Sequence, residues 1–395
     1  MWSWSTRRRA RTDEVRSTKC AVLSAKCGLR ASASYSYSMP PSRFLILADG
    51  DFSPMTSKTA NSVIRYLPER VVAVVDHRTA GRTVQDVLGF GGNIPVVAGM
   101  AEGLARAPDA VLIGIAPMGG RLPAAWRQGL LDALDAGCDL WSGLHTFLSD
   151  DSVLAERARE RGRLIHDVRR APADLPIASA LAGPLEPLVV LTVGTDCNVG
   201  KMTCQLQLVR ELNARGLRAR FVPTGQTGIF IEGWGIAVDA VVADFIAGAA
   251  ERITLEGAKD ADVVLVEGQG SINHPGYSGV TLGLLHGSCP DAMILCHQAS
   301  RRYISEYRGQ GALELPSLAE YVRLYEEAAG LVHPSRVVGL CLNTHDLAEQ
   351  PARAACAAAT RDTGLPCTDP VRWPEDDVLV EAVVAAHERH GGAKY

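Results

Sequence analysis

The chain has 395 residues, 47% hydrophobic and 21% charged, with a formal net charge of −4 at pH 7, enough for two domains that each bury a core. The charge is uneven: residues 1–42 carry eight Lys/Arg against Asp13 and Glu14, leaving 32 basic and 42 acidic residues in the rest, and a body that acidic excludes a broad nucleic-acid footprint. No apolar run approaches the roughly 18–20 residues of a membrane span, so a cytoplasmic, non-membrane protein is expected.

Residues 1–42 are rich in Arg, Ser and Ala and lack the apolar core of a secretory signal. They are expected to be a disordered or non-structural basic segment: a transit-like stretch, a basic arm, or sequence upstream of a start at Met39. From residue 43 to 170, short β-branched runs alternate with helical stretches. The strand candidates are 43-RFLILA-48, 70-RVVAVV-75, 94-IPVVA-98, 109-DAVLIG-114 and 163-RLIHDV-168. Such alternation predicts a Rossmann-like parallel sheet with covering helices. Asp76 ends the second run, where a dinucleotide fold often places a ribose-binding acid. The first turn, 49-DGDFSPMTSK-58, has no G-x-G-x-x-G, which argues against a nicotinamide site.

Residues 171–187, rich in Ala, Pro and Leu, read as a linker. A second α/β series fills 188–395. Its strands are expected at 188–193, 217–222, 262–267, 291–296, 336–342 and 366–371, with helices at 201–214, 239–252, 317–329 and 376–389. The ten cysteines show no C-x-x-C spacing and lie within apolar runs, as buried thiols in a reducing compartment do.

The strongest chemical signal is 194-GTDCNVGKMT-203, which follows a strand and precedes an amphipathic helix. In that setting the backbone N–H groups of Gly194, Thr195, Asp196, Cys197, Asn198, Val199 and Gly200 can face an anion at the positive end of the helix. Lys201 adds a point charge. The spacing between the glycines is one residue longer than in the usual phosphate-binding loop. Met202 stands where that loop carries the hydroxyl that holds magnesium, and Thr203 lies about 100° further round the helix.

The second block, 262-DVVLVEGQGSINHPGYSG-279, presents Glu267 at a strand end as a metal ligand or general base. The stretch 223-PTGQTG-228 reads as a loop where Thr224 and Gln226 meet substrate, with His274 in the glycine-rich loop further on. Asp239 and Asp244 share no helical face, and Asp244, within the apolar ADFIA, is the harder to explain as surface charge. His297 directly follows a strand, where a neutral imidazole can take a proton from an attacking ammonium. Arg301 and Arg302 can clamp a dicarboxylate. In the first domain, the loop 114-GIAPMGGRLP-123 and His145 are candidates for lining a cleft between the domains.

G-T-D-x-x-V-G-K together with V-L-V-E-G-x-G resembles the dethiobiotin synthetase branch of P-loop enzymes. The fuller pattern adds 223-PTGQTG-228, 239-DAVVADFIAGAAE-251 and the long block through His297, preceded by an α/β domain. It is similar to a P-loop family formerly of unknown function that includes bacterial D-glutamate N-acetyltransferases. The resemblance covers about residues 43–390. It implies a Rossmann-like domain followed by a P-loop NTPase-like domain, phosphate binding at Gly194 to Thr203, and Glu267 with Asp244 near a metal or the reacting group. The likeness to the dethiobiotin synthetase branch implies an adenine-reading role for Asn343.

Three chemistries are open at this level. Acetyl-CoA-dependent N-acylation of a small amino acid suits a phosphate cradle without γ-phosphate chemistry, with Lys201, Glu267 and His297 as the catalytic set. An amide ligase or kinase using ATP and Mg suits Glu267 but not Met202, because a thioether is a poor ligand for a hard cation. A nucleotide-sensing regulator is the non-enzymatic alternative. Homo-oligomerisation is compatible with the sequence and not specified by it.

Overall fold

The computed structural model describes residues 43–115, 120–305 and 312–392. The expected basic segment 1–42 and residues 116–119 of the loop 114–123 lie outside the described residues. Two six-stranded sheets organise the rest. The first contains β1 (Phe44–Leu47), β2 (Val71–Val75), β3 (Val96–Val97), β4 (Ala110–Ile113), β5 (Asp139–Ser142) and β6 (Ile165–Asp167), in the order β3-β2-β1-β4-β5-β6. The second contains β7 (Leu188–Gly194), β8 (Ala219–Val222), β9 (Val263–Val266), β10 (Ala292–Gln298), β11 (Arg336–Asn343) and β12 (Cys367–Thr368), in the order β12-β11-β10-β7-β9-β8. All ten ladders are parallel.

Parallel strands are covered on both faces, so they need continuous apolar runs. Leu188–Gly194 is buried at all seven positions. In the second sheet β7 lies centrally, between β9 and β10, and the strand order reverses there. The loop after β7 therefore opens at the carboxyl edge where α/β proteins form their sites.

Local signals set several helix ends. Ser317 accepts from the Glu320 N–H and Glu320 reaches back, a capping box that starts the helix Leu318–Gly330. The helix Lys201–Ala214 occupies the span read from sequence. Two expectations differ from the fold. β5 was not foreseen, because 139-DLWS-142 is four residues with no β-branched run. Residues 239–252 are not one helix: Val238–Ala240 and Ala243–Phe245 are separate 3-10 turns, and the helix begins at Ile246.

The sheets are joined by an element expected to be only a loop. The helix Gln226–Glu232 buries Ile229 and Phe230 in the hydrophobic core of the first sheet. The Phe230 ring lies 6.2 Å from that of Trp141. Behind it, the 171–187 strap is pinned where the Ser179 and Leu181 N–H groups donate to the buried carboxylate of Glu251, at 3.1 and 2.6 Å.

Candidate functional site

The loop after β7 turns by means of two residues in the left-handed region, Asn198 at φ 57° and Gly200 at φ 105°. Asn tolerates that conformation and Gly adopts it without strain, so the backbone can curl around an anion ahead of the helix. Val199 is fully buried and anchors the loop in the core. Asn198 is exposed at its tip.

Lys201 is buried, and its ammonium donates to the carbonyls of Asp196 at 2.8 Å and Gly270 at 2.9 Å. Burial lowers its pKa, against the raising influence of Cys197, Cys296, Asp196 and Glu267. Two tyrosines from the helix Leu318–Gly330 brace the strand end. Tyr325 donates to the Gly194 carbonyl at 2.7 Å and Tyr321 to that of Thr195 at 3.0 Å. Burial raises both phenol pKa values, that of Tyr321 to about 12. No motif marks these tyrosines, although they recur four apart on one face of the helix Leu318–Gly330.

Glu267 stands at the end of β9. Its carboxylate accepts from the N–H groups of Thr224 at 2.9 Å and Gly225 at 3.1 Å. Burial outweighs those two bonds and pushes its pKa up to about 7; Asp239 raises it further and Lys201 opposes. The adjacent Gly268 is required by packing, because a Cβ there would lie 1.6 Å from the Thr192 carbonyl oxygen.

The carboxylate that bears on Glu267 is therefore Asp239. Asp244, expected with Glu267 near a metal, is exposed in a 3-10 turn of its own, because the predicted helix is broken there. Met202 packs against the small apolar cluster of Leu206, Phe221 and Ile231. Thr203 lies beside the hydroxyl of Tyr66, from the first sheet's layer. Neither side chain is engaged as an oxygen ligand facing the loop.

Several other predicted site residues are spent on structure. The Arg301 guanidinium donates to the fully buried Asp196 carboxylate at 2.8 Å and to the Cys197 carbonyl at 2.7 Å. The guanidinium that the sequence offered as a clamp for a dicarboxylate is here engaged in fastening the loop. Thr224 donates its hydroxyl to the Glu267 carbonyl at 2.8 Å. Gln226 accepts from Arg169 at 3.0 Å. The buried Arg169 pairs with Asp239 at 2.8 Å, and a nitrogen of its guanidinium lies 3.5 Å from His145 Nδ1. Arg169 thus forms the polar seam between the sheets. No motif marked it, because its meaning comes from partners 57 and 70 positions away.

His297 faces the Thr195 hydroxyl at 2.8 Å through Nδ1. Burial, then the nearby charge of Arg301, lowers its pKa to about 4, so the imidazole is neutral at physiological pH. His274 is buried and accepts from the Gly276 N–H at 3.1 Å. Arg302 is exposed. Asn343 ends β11 close to Gly200, and its side-chain oxygen accepts from the His345 N–H at 3.2 Å. In the first sheet, the buried Asp76 accepts from Gly50 and Thr79 N–H groups, so the carboxylate in the ribose-binding position closes a turn.

Residues 77–171 match the Rossmann-like N-terminal domain of DUF1611, a domain of unknown function, and residues 176–379 match its P-loop C-terminal domain. The chain belongs to the DUF1611 family. A relative named D-glutamate N-acetyltransferase, from Tritonibacter scottomollicae, is 41% identical over 290 residues, covering 72% of this chain and 84% of the relative. A second relative of that name, from a Pseudoalteromonas species, is 35% identical over 269 residues, covering 68% and 79%. A crystal structure of a DUF1611 family protein from Anabaena variabilis superposes with a TM-score of 0.81 at 40% identity, covering 87% of this chain and 99% of that one. The DUF1611 fold expected from the sequence, a Rossmann-like unit followed by a P-loop unit, is the fold observed. Among the described residues, no helix is long and apolar enough to cross a membrane.

Proposed function

We propose that this chain is a D-glutamate N-acetyltransferase that uses acetyl-CoA as donor. The observation that carries the reading is the 41% identity to a relative of that name, of which the chain spans 84%. The chemistry of the site supports it. A substrate ammonium must lose a proton before its nitrogen can attack, and a buried carboxyl with a pKa of about 7 is matched to that task. Glu267 is the general base in this reading. The neutral imidazole of His297, held through Nδ1 by Thr195, orients the reacting groups and relays the proton.

Lys201 and the curled N–H groups of residues 194–200 offset negative charge on the donor or on the tetrahedral intermediate. With Arg301 committed to Asp196, the exposed Arg302 is the cation left to meet a substrate carboxylate.

A ligase or kinase using ATP and Mg is the weaker reading. Met202 packs in an apolar cluster, Asp244 is exposed elsewhere, and Glu267 is alone as a hard ligand from the predicted set. None of the eight described cysteines is in a disulfide, which suits a cytoplasmic setting.

Mass spectrometry of the purified chain with D- or L-glutamate, supplied in parallel with acetyl-CoA or ATP and magnesium, tests the proposal. N-acetyl-D-glutamate with release of CoA is the expected outcome. ADP or AMP release without CoA release overturns it.

A further inference from the structure

We propose that Cys197 is a nucleophile that carries the acetyl group between coenzyme A and the amino acid, with the Nε2–H of His274 directed at the reacting sulfur and carbonyl oxygen. This rests on the acetyl-transfer reading above and deepens it.

Cys197 lies in the curled loop immediately ahead of the helix Lys201–Ala214. It is half-buried, whereas six of the eight described cysteines are buried. Its sulfur, a ring nitrogen of His274 and a carboxylate oxygen of Asp196 all lie within 4.8 Å of one another. His274 comes from the loop after β9 and is 5% exposed. Its Nδ1 accepts the Gly276 N–H at 3.1 Å, so the neutral ring carries its proton on Nε2. That Nε2 has no hydrogen-bond partner among the described residues, and the Asp196 carboxylate is 4.0 Å away. A buried donor left unpaired is destabilising, and that penalty is relieved when an acceptor arrives.

The neighbours supply what such a step needs. The Lys201 ammonium lies close enough for Cys197 to act on its titration, and Cys197 sits in the loop that leads into the helix beginning at Lys201. Positive charge therefore sits near the negative charge, which is first on the attacking thiolate and then develops on the carbonyl oxygen. Asp196 cannot drift in to quench it, because Arg301 and the Ser305 N–H hold its other oxygen at 2.8 and 2.7 Å.

The geometry also bears on what the loop holds. An extended pantetheine arm separates the thioester of acetyl-CoA from its pyrophosphate by more than one such loop can span. With a thiol and an N–H donor built into the loop, it is the thioester end that this loop receives.

The steps balance as follows. The Cys197 thiolate attacks the acetyl carbon; the bond to the CoA sulfur breaks, and the CoA thiolate takes a proton from water and leaves as the thiol. The substrate ammonium then gives one proton to Glu267. The free amine attacks acetyl-Cys197, the Cys197 thiolate departs, the second nitrogen proton passes to solvent, and Glu267 returns the first to the hydroxide left when CoA was protonated. The net change is acetyl-CoA plus ammonium to amide, CoA thiol and one proton.

The test uses the full chain with acetyl-CoA alone, followed by D-glutamate. A release of one CoA thiol per chain and a mass gain of one acetyl group are expected, mapped to the peptide containing Cys197 and discharged by the amino acid. Initial rates with both substrates varied should give parallel lines. Cys197→Ser should lose the released CoA and the turnover together, while binding acetyl-CoA. His274→Phe should slow both half-reactions about 100-fold, and His274→Gln, which keeps an N–H donor, should recover part of that.

N-acetyl-D-glutamate formed with intersecting rate lines, no acetylated cysteine and near-normal turnover in Cys197→Ala overturns the covalent step and leaves the activity standing. Acetyl-Cys197 that D-glutamate does not discharge supports the nucleophile and overturns the acceptor instead.

Discussion

The Arg301 guanidinium, just beyond β10, reaches the carboxylate of Asp196 at 2.8 Å, 105 positions earlier in the chain. Asp196 is fully buried and Arg301 is half-buried. The pair fixes the turn on which the candidate site depends. Removing the cation leaves an uncompensated buried charge, which costs about 3–5 kcal/mol. Arg301→Met should lower the urea midpoint accordingly and weaken acetyl-CoA binding. Arg301→Lys should restore only part of each, since an ammonium lacks the fork that reaches both Asp196 and the Cys197 carbonyl.

Lys201→Ala removes the charge at the centre of the loop and two bonds to backbone carbonyls. We expect kcat/KM for acetyl-CoA to fall by a factor on the order of 100 or more. Steady-state kinetics decide the matter, and unchanged catalytic efficiency would remove this loop from the mechanism.

Glu267 makes activity and stability depend on pH with opposite signs. As the proposed base it must be ionised, so kcat/KM should rise as pH passes about 7. In the folded chain its pKa is raised from 4.5 to about 7. The folded state therefore holds the proton more tightly. Its stabilising contribution, about 3 kcal/mol, is complete below pH 4.5 and is lost as pH rises through about 7. Glu267→Gln should flatten both profiles across neutrality. His297, neutral above about pH 4, adds no rising limb there.

Asp239→Asn tests the origin of that pKa. The Asp239 charge raises it, so removing the charge should move the rising limb to lower pH. The same substitution strips the buried Arg169 of its partner and should lower the melting temperature. A limb that stays at pH 7 in a folded variant would show that Asp239 does not act on Glu267.

Phe230→Ala addresses the junction between the sheets. Phe230 is fully buried in the first sheet's core although it belongs to the second unit's chain. Its truncation should cost about 3–5 kcal/mol, read by chemical denaturation. Because the same helix follows the two N–H groups that hold Glu267, the pH limb should shift as well.

Much of this protein is legible in local sequence. Period and punctuation are local, so two α/β units, the loop 194–203 and the helix beginning at Lys201 can be read from a few residues each. The strand-ending position of Glu267 is equally local. The fate of a side chain is not. Gln226 and Thr224 look available in a glycine-rich stretch, yet they are consumed by Arg169 and Glu267, 57 and 43 positions away. Asp244 looked like the buried acid, but a break in the helix exposed it and left Asp239 at the site. The meeting of Cys197 with His274 likewise depends on two loops that only the sheet order brings together. Composition and spacing determined which chemistry-bearing residues the chain possesses and the units they lie on. Tertiary packing decided which of them keep a free polar atom, because burial and distant partners set pKa and hydrogen bonding, and neither is written within one segment.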